Sequence, residues 1–184
     1  NYKELLKQAK ILKVKNLIIT NHKSFNEIKK NQYSKKINIF NNFNNLSNIF
    51  RKKIDYTMSS ISGVHGLKPT IEIIRHTKKI AIANKEAIIC GWNLIEQNLK
   101  KHKTNFIPVD SEHFSIWYAL RDIDKNIIDK IYLTASGGPF LDISSKKLEK
   151  VSIKDAINHP NWKMGKKISI DSATMMNKVF EVIE

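Results

Sequence analysis

Residues 80–109 read IAIANKEAIICGWNLIEQNLKKHKTNFIPV, and the order of signals within them decides the fold class. An apolar run, Ile80-Ala81-Ile82-Ala83, stops at polar Asn84-Lys85-Glu86. Ala87 to Leu99 carries a helical pattern, and a second short apolar run, Phe106 to Val109, follows. Short apolar runs ended by polar residues predict buried strands. Strand, helix and strand in succession imply a crossover connection, and so parallel strands in an α/β fold.

Working outward, Tyr56 to Ile61 reads as a strand ended by Ser62-Gly63 and Gly66. Pro69 sits early in a helix through Ile74, where a first-turn Pro is tolerated. Ile116 to Leu120 belongs to a helix. Ile131 to Leu133 reads as a strand running into Ser136-Gly137-Gly138-Pro139, and Ile168 to Ile170 as another. Ser172 to Glu184 reads as a helix capped by Asp171-Ser172. On the N-terminal side, Leu5, Leu6, Ala9 and Leu12 give Tyr2 to Leu12 a helical spacing, and Val14 to Ile19 a short strand. Residues 22–54 are polar and Asn-rich and carry the weakest signal, apart from the apolar patches Ile37-Ile39-Phe40 and Leu46-Ile49-Phe50. No internal repeat is visible. The chain opens on Asn1 and ends inside the last helix pattern, so it is expected to be a piece of a longer protein.

The 184 residues are 41% hydrophobic and 27% charged, enough for a real core in about one domain. A single cysteine, Cys90, excludes an intramolecular disulfide framework and a multi-cysteine zinc site. No apolar run reaches the roughly 20 residues of a membrane span, and no signal peptide opens the chain, so a cytosolic protein is expected. Thirty-two Lys+Arg against 17 Asp+Glu give a net charge of +15. Such charge suits a phosphate-rich partner. It also suits a composition rich in Lys, Asn and Ile. The lysines are dispersed, thickest near Lys35-Lys36 and Lys52-Lys53 among Asn41-Asn42 and Asn44-Asn45, with no Arg-rich arm. That pattern favours solvated faces over a nucleic-acid surface.

Three polar clusters fall at expected carboxyl ends of strands, where open α/β sheets bind ligands. Asn84-Lys85-Glu86 reads as a helix start, but a Lys in a first turn is unfavourable there and asks for another reason. In Pro108-Val109-Asp110-Ser111-Glu112-His113, two carboxylates two residues apart project to one side of extended backbone and suit Mg²⁺ or Mn²⁺. They equally suit capping of the next helix. His113 is either a third ligand or a local packing residue. Thr134-Ala135-Ser136-Gly137-Gly138-Pro139 can cradle an anion or form a plain turn. Asn177, Lys178 and Glu181 share one helix face, ordinarily a surface ion pair. The irregular stretch His159 to Gly165, with Trp162 and Met164, reads as a lid or an anchored loop.

At these same residues the chain resembles the 1-deoxy-D-xylulose 5-phosphate reductoisomerase family. The resemblance rests on Ala83 to Glu86, Pro108 to His113, Leu133 to Phe140 and the long block from His159 to Lys178, and it is dense from about residue 61 onward. It implies an incomplete Rossmann-like NADPH-binding domain at residues 1–104 and the first part of an α/β catalytic domain at 105–184, with a flap at 159–167. The Gly-rich first loop and the C-terminal helical domain are expected to be missing, so the 184 residues alone should neither bind NADPH normally nor turn over. The activity implied is NADPH-dependent conversion of 1-deoxy-D-xylulose 5-phosphate to 2-C-methyl-D-erythritol 4-phosphate in non-mevalonate isoprenoid synthesis.

Carried over by position, the resemblance makes Asp110, Glu112 and Glu181 ligands of Mg²⁺ or Mn²⁺. Lys85, Ser111, Glu112, Ser136, His159, Trp162, Met164, Ser172, Asn177, Lys178 and Glu181 would meet the sugar phosphate, with Lys85, Glu112 and His159 catalytic. Ser136, Ser172, Asn177 and Lys178 would hold its phosphate, and Asn1, Asn84, Glu86 and Gly165 would touch NADPH. Lys166 and Lys167 would stand near anionic ligands at the flap. Val179 and Phe180 depart from the family's Gly-Leu between Lys178 and Glu181, and Val179 is expected to crowd the helix; His65 and Phe114 also depart from the family pattern. The family implies a homodimer, with neither nucleic acid nor membrane as partner, in a bacterial cytoplasm or a plastid. The competing readings are a basic nucleic-acid-binding module, which leaves the three clusters unexplained, and a non-catalytic homologue, which sits badly with every covered site position being filled.

Overall fold

The chain, described here from a computed structural model, is defined at residues 1–30, 37–44 and 46–184; the Lys35-Lys36 pair and Asn45 lie outside the described residues. Helix α1 (Tyr2–Ile11) is capped by the Asn1 side chain, which accepts from the Lys3 N–H. It leads to β1 (Asn16–Ile18), α2 (His22–Lys30) and β2 (Asn38–Phe40), and β1 and β2 pair in parallel. Leu6, Ala9, Leu17, Ile19 and Ile28 close a small core between these elements. Helix α2 is absent from the sequence expectations: its inward residues are only Phe25 and Ile28, three apart within a run of Lys and Asn. Patterning was too sparse there, and packing on β1 supplies the rest.

The main sheet follows. Short α3 (Leu46–Ile49) precedes β3 (Ile54–Ser59), which starts and stops two residues before the expected strand. Helix α4 (Leu67–Ile74), β4 (Thr77–Ile82), α5 (Lys85–His102) and β5 (Asn105–Pro108) complete a parallel sheet in the order β3-β4-β5. Central β4 is paired on both edges, with Ile80 opposite Thr57 and Phe106. That position explains its uninterrupted apolar run: Ile80, Ala81 and Ile82 are at most 1% exposed, against Ile74, Ile88, Ile95 and Leu99 of the flanking helices. Fully burying each such Ile or Leu contributes about 1.5–3 kcal/mol. Helix α5 bends at Gly91, where it meets Leu67 of α4.

The last 74 residues (111–184) are helical and irregular. They run through α6 (Ser111–Ala119), α7 (Ser145–Leu148), α8 (Ile153–Ile157), α9 (Lys166–Ala173) and α10 (Met176–Ile183). Two expected strands are not formed here. Ile131 to Leu133 pairs with no described strand, and Ile131 and Tyr132 are 54% and 82% exposed. Without a ladder partner, apolar β-branched residues have nothing to hold them extended. Ile168 to Ile170 lies inside α9, where burial has helical spacing: Ser169 and Ala173, four apart, face inward while Ile168 and Ile170 face out. Asp171-Ser172 are therefore interior helix residues and not caps. The turn from α9 to α10 passes through Met175, at φ 60°. Among the described residues, no helix is long and apolar enough to cross a membrane.

Candidate active site

The three strands of the main sheet end on one cavity of about 670 Å³. Ser60 and Ser62 reach it after β3, Ala83 to Glu86 after β4, and Asp110 to Glu112 after β5. Ser136, His159, Trp162, Met164, Ser172, Asn177 and Lys178 border its other side. The structure thus gathers residues scattered from 60 to 180 in the chain. Three expected site residues stand elsewhere. Asn1 borders a second cavity, of about 440 Å³, beside the end of β1. Gly165 is the N-cap of α9 and does not line the main cavity. Glu181 lies behind the wall, 2% exposed.

Asn84 begins the construction. Its Oδ1 accepts from the Ala87 N–H at 2.9 Å, capping α5. Its Nδ2 donates to the Gly63 carbonyl at 2.7 Å and to the Ile61 carbonyl. Both amide hydrogens are spent on backbone, so Asn84 fixes the loop after β3 against the helix start. Capping thereby aims Lys85 across the cavity, where its Nζ lies 2.5 Å from Asp110 Oδ2, 2.8 Å from Glu181 Oε1 and 3.2 Å from Asn177 Oδ1. This is the reason for a lysine in that first turn.

Asp110 realises the capping reading of its sequence and keeps its second oxygen available. Oδ1 accepts the N–H groups of Glu112 and His113 at 3.2 and 3.3 Å and caps α6, leaving Oδ2 to the cavity side. Glu112 lies 3.1 Å from Lys178 Nζ. Lys178 also donates to Glu181 and to the Thr134 carbonyl. Asn177 Nδ2 donates to Glu181 Oε1 at 2.6 Å. Carboxylate oxygens of Asp110, Glu112 and Glu181 thus lie within 4.8 Å of one another, with two ammonium groups among them. His113 packs locally and also ties elements together, with Nδ1 3.0 Å from Asp110 Oδ1 and Nε2 3.0 Å from the Glu181 carbonyl oxygen.

Electrostatics follow from this crowding. Burial alone would pull the Lys85 ammonium down, but hydrogen bonds and charge from Asp110 and Glu181 outweigh it and raise its pKa. Lys178 is raised in the same way, burial opposing Glu181 and Glu112. Burial would push the Asp110 carboxyl up, yet Lys85 and His113 hold it down at about 2, against an ordinary 3.8. Burial raises the Glu184 carboxyl, with His113 opposing. A carboxyl depressed in the folded state contributes stability above its unfolded pKa and loses it as pH falls through the folded one. Asp110 is therefore expected to withdraw up to about 2 kcal/mol between pH 4 and pH 2, less whatever solvent screens. Acid unfolding followed by circular dichroism checks this, and Lys85→Met should flatten the pH dependence in that window.

The opposite side differs. Ser136 Oγ lies 3.1 Å from His159 Nε2. Gly138, at φ +66°, lets the 134–140 loop press on α9: a Cβ there would stand 2.8 Å from the Ser172 carbonyl oxygen. Trp162 is 64% exposed, on a stretch without helix or strand. Lys167 engages no free anion site but bridges Glu86 and Asp171, each at 2.7 Å, and lies over the Phe180 ring. That bridge between α5 and α9 was missed from the sequence. The Lys167–Asp171 spacing of four signals it, once 168–170 is read as helix. Val179 is 47% exposed, while Phe180 lines the cavity.

Comparison with known proteins is consistent from end to end. A family model described as 1-deoxy-D-xylulose 5-phosphate reductoisomerase matches residues 1–91, and one described as the C-terminal domain of that enzyme matches 106–184. A 1-deoxy-D-xylulose 5-phosphate reductoisomerase of Pelagibacter ubique is 61% identical over 186 residues, covering 100% of this chain and 48% of the relative. The same enzyme from a Wolbachia of Culex pipiens is 41% identical, with coverages of 100% and 47%. The solved structure of DOX-P reductoisomerase in complex with NADPH, fosmidomycin and magnesium superposes with a TM-score of 0.82 at 35% identity, over 98% of this chain and 47% of that one. The Zymomonas mobilis enzyme in complex with NADPH gives 0.84 at 34%, over 98% and 46%. The chain spans about half the length of the curated relatives it matches.

Proposed function

The chain belongs to the 1-deoxy-D-xylulose 5-phosphate reductoisomerase family, and from that premise we propose that its main cavity is the metal and sugar-phosphate site of such an enzyme. The reaction is conversion of 1-deoxy-D-xylulose 5-phosphate to 2-C-methyl-D-erythritol 4-phosphate, with NADPH as reductant. The observation that carries the reading is the trio Asp110, Glu112 and Glu181 with Lys85 and Lys178 at the strand ends. Residues 1–104 are assigned to dinucleotide binding and 105–184 to catalysis, a division supported by the two family models. The sources of the similar chains favour a bacterial cytoplasm, and the family a homodimer.

The donor set fits a hard divalent cation. It consists of carboxylates alone, drawn from two elements, and it already gathers positive charge from two ammonium groups. When bound, the ion supplies a Lewis acid for the skeletal rearrangement and NADPH supplies hydride. Asp110, Glu112 and Glu181 would hold the ion. Lys85 keeps a fixed positive charge at the rearranging centre, where negative charge grows on oxygen. Ser111 and Glu112 border the sugar, while Ser136, Ser172, Asn177 and Lys178 would bind the phosphate. Trp162 and Met164 on the flap would cover the substrate and exclude water. Glu86 borders the dinucleotide side; Asn84 serves there by shaping the backbone, its amide hydrogens being spent. Asn1 and Gly165 are assigned outlying NADPH contacts.

The test is a chimera in which this chain replaces the matching half of the Pelagibacter ubique relative. The chimera is expected to oxidise NADPH only with both 1-deoxy-D-xylulose 5-phosphate and Mg²⁺ or Mn²⁺ present. A folded chimera that shows no metal-dependent oxidation overturns the reading.

A further inference from the structure

The imidazole of His159 is 7% exposed, and both its nitrogens are engaged. Nδ1 accepts two backbone N–H groups, from Asn161 and Trp162, each at 3.1 Å. Pro160, between His159 and Asn161, has no N–H, so the chain turns around the ring and brings the next two amides to one nitrogen. A ring nitrogen that accepts from two donors cannot carry a hydrogen of its own. The hydrogen must then sit on Nε2, which faces Ser136 Oγ at 3.1 Å.

We propose that His159 is locked as the Nε2–H tautomer and acts as a positioning residue, donating to Ser136 Oγ so that the Ser136 hydroxyl hydrogen is left to point at an anionic oxygen in the cavity. The proposal rests on the sugar-phosphate reading of that cavity. It alters the part expected of His159 from the family resemblance. The only lone pair of the ring is buried against backbone amides, so His159 cannot take a proton from substrate there. What the ring supplies is direction. Ser136 has a single hydrogen and can either donate to His159 or donate to a ligand. With Nε2–H occupying one lone pair of Oγ, only the second choice remains. A serine turned into a pure donor suits phosphate, which is acceptor-rich, and disfavours a cationic or donor-rich group.

Two measurements decide it. Nitrogen-15 spectra of the histidine-labelled chimera, with long-range ring couplings, should show His159 Nε2 bonded to hydrogen and Nδ1 bare. A hydrogen on Nδ1 overturns the proposal, whatever the cavity binds. The second uses the chimera and His159→Asn, whose Oδ1 can still accept the two loop amides while the reach to Ser136 is lost. Its KM for the sugar phosphate should rise about tenfold with kcat changed less than about threefold, the mark of lost ground-state binding. In a Ser136→Ala background the same change should add less than about twofold, because His159 acts through Ser136. Independent, multiplying effects overturn the proposal. A folded chimera that never turns over sinks the sugar-phosphate reading instead, and the tautomer then decides His159 alone.

Discussion

Glu181→Gln, made in the chimera, is expected to lower both Mn²⁺ affinity and turnover by more than about a hundredfold while the protein stays folded. Residues one shell removed from a metal typically cost about 10–100-fold when changed, and a direct carboxylate ligand costs more. Gln keeps the size and one acceptor oxygen but removes the negative charge on which the donor set depends. Folding survives because neither lysine is stranded. Lys85 retains Asp110 Oδ2 at 2.5 Å, and Lys178 retains Glu112 at 3.1 Å and the Thr134 carbonyl. A lysine left with no partner in this setting would cost about 3–5 kcal/mol; with its second partner intact, the loss should be nearer 1–2 kcal/mol. Electron paramagnetic resonance of Mn²⁺ and thermal unfolding read the two effects separately. Wild-type Mn²⁺ affinity in the variant would remove Glu181 from the ligand set.

How much of this was legible beforehand depended on whether neighbours in sequence or in space carried the signal. The Ile80–Ile82 run and the pattern from Ala87 are self-contained: each residue's burial follows from its place in one central strand or one crossover helix, while Ala83, read as part of the strand, lies past its end and is exposed. Ile168 to Ile170 was misread because three apolar residues fit a strand as well as a helix, and only the burial of Ser169 against its surroundings separates the two. Met175 illustrates another limit, since nothing in its side chain announces a left-handed turn. Asn84 to Glu86 and Asp110 to Glu112 were readable as types at strand ends, and the family resemblance supplied the roles of these and the later site residues. Their mutual distances were not readable at all. Lys85 and Glu181 are 96 residues apart, and only the packing of α10 beside α5 makes them partners. The net charge gains a structural sense from the same geometry. Lys85, Lys167 and Lys178 are each bound to at least two carboxylates, so the lysines at the cavity are internal counterions, unlike those dispersed over solvated faces.

That role as counterion gives Lys85 an effect opposite in sign to that of Glu181. Its ammonium now occupies part of the space between Asp110 and Glu181, so a divalent ion entering the carboxylate trio must push it aside or share the site with it. Two unit charges 4 Å apart at an effective dielectric of about 20 interact by about 4 kcal/mol, and the repulsion is doubled for a divalent partner. Even after rearrangement removes most of that, Lys85→Met should bind Mn²⁺ about tenfold more tightly. Turnover should nevertheless fall by about a hundredfold, because the positive charge facing the developing oxyanion is gone. Tighter metal and slower chemistry in one variant separate a charge used in the reaction from a strut that merely holds ligands. If Lys85 were only a strut, its loss would let Asp110 and Glu181 drift apart, and metal affinity would fall together with activity. Mn²⁺ titration of the chimera and of its Lys85→Met variant, with turnover measured at saturating metal, distinguishes the two: parallel losses would assign Lys85 to positioning, and opposed changes to the chemistry itself.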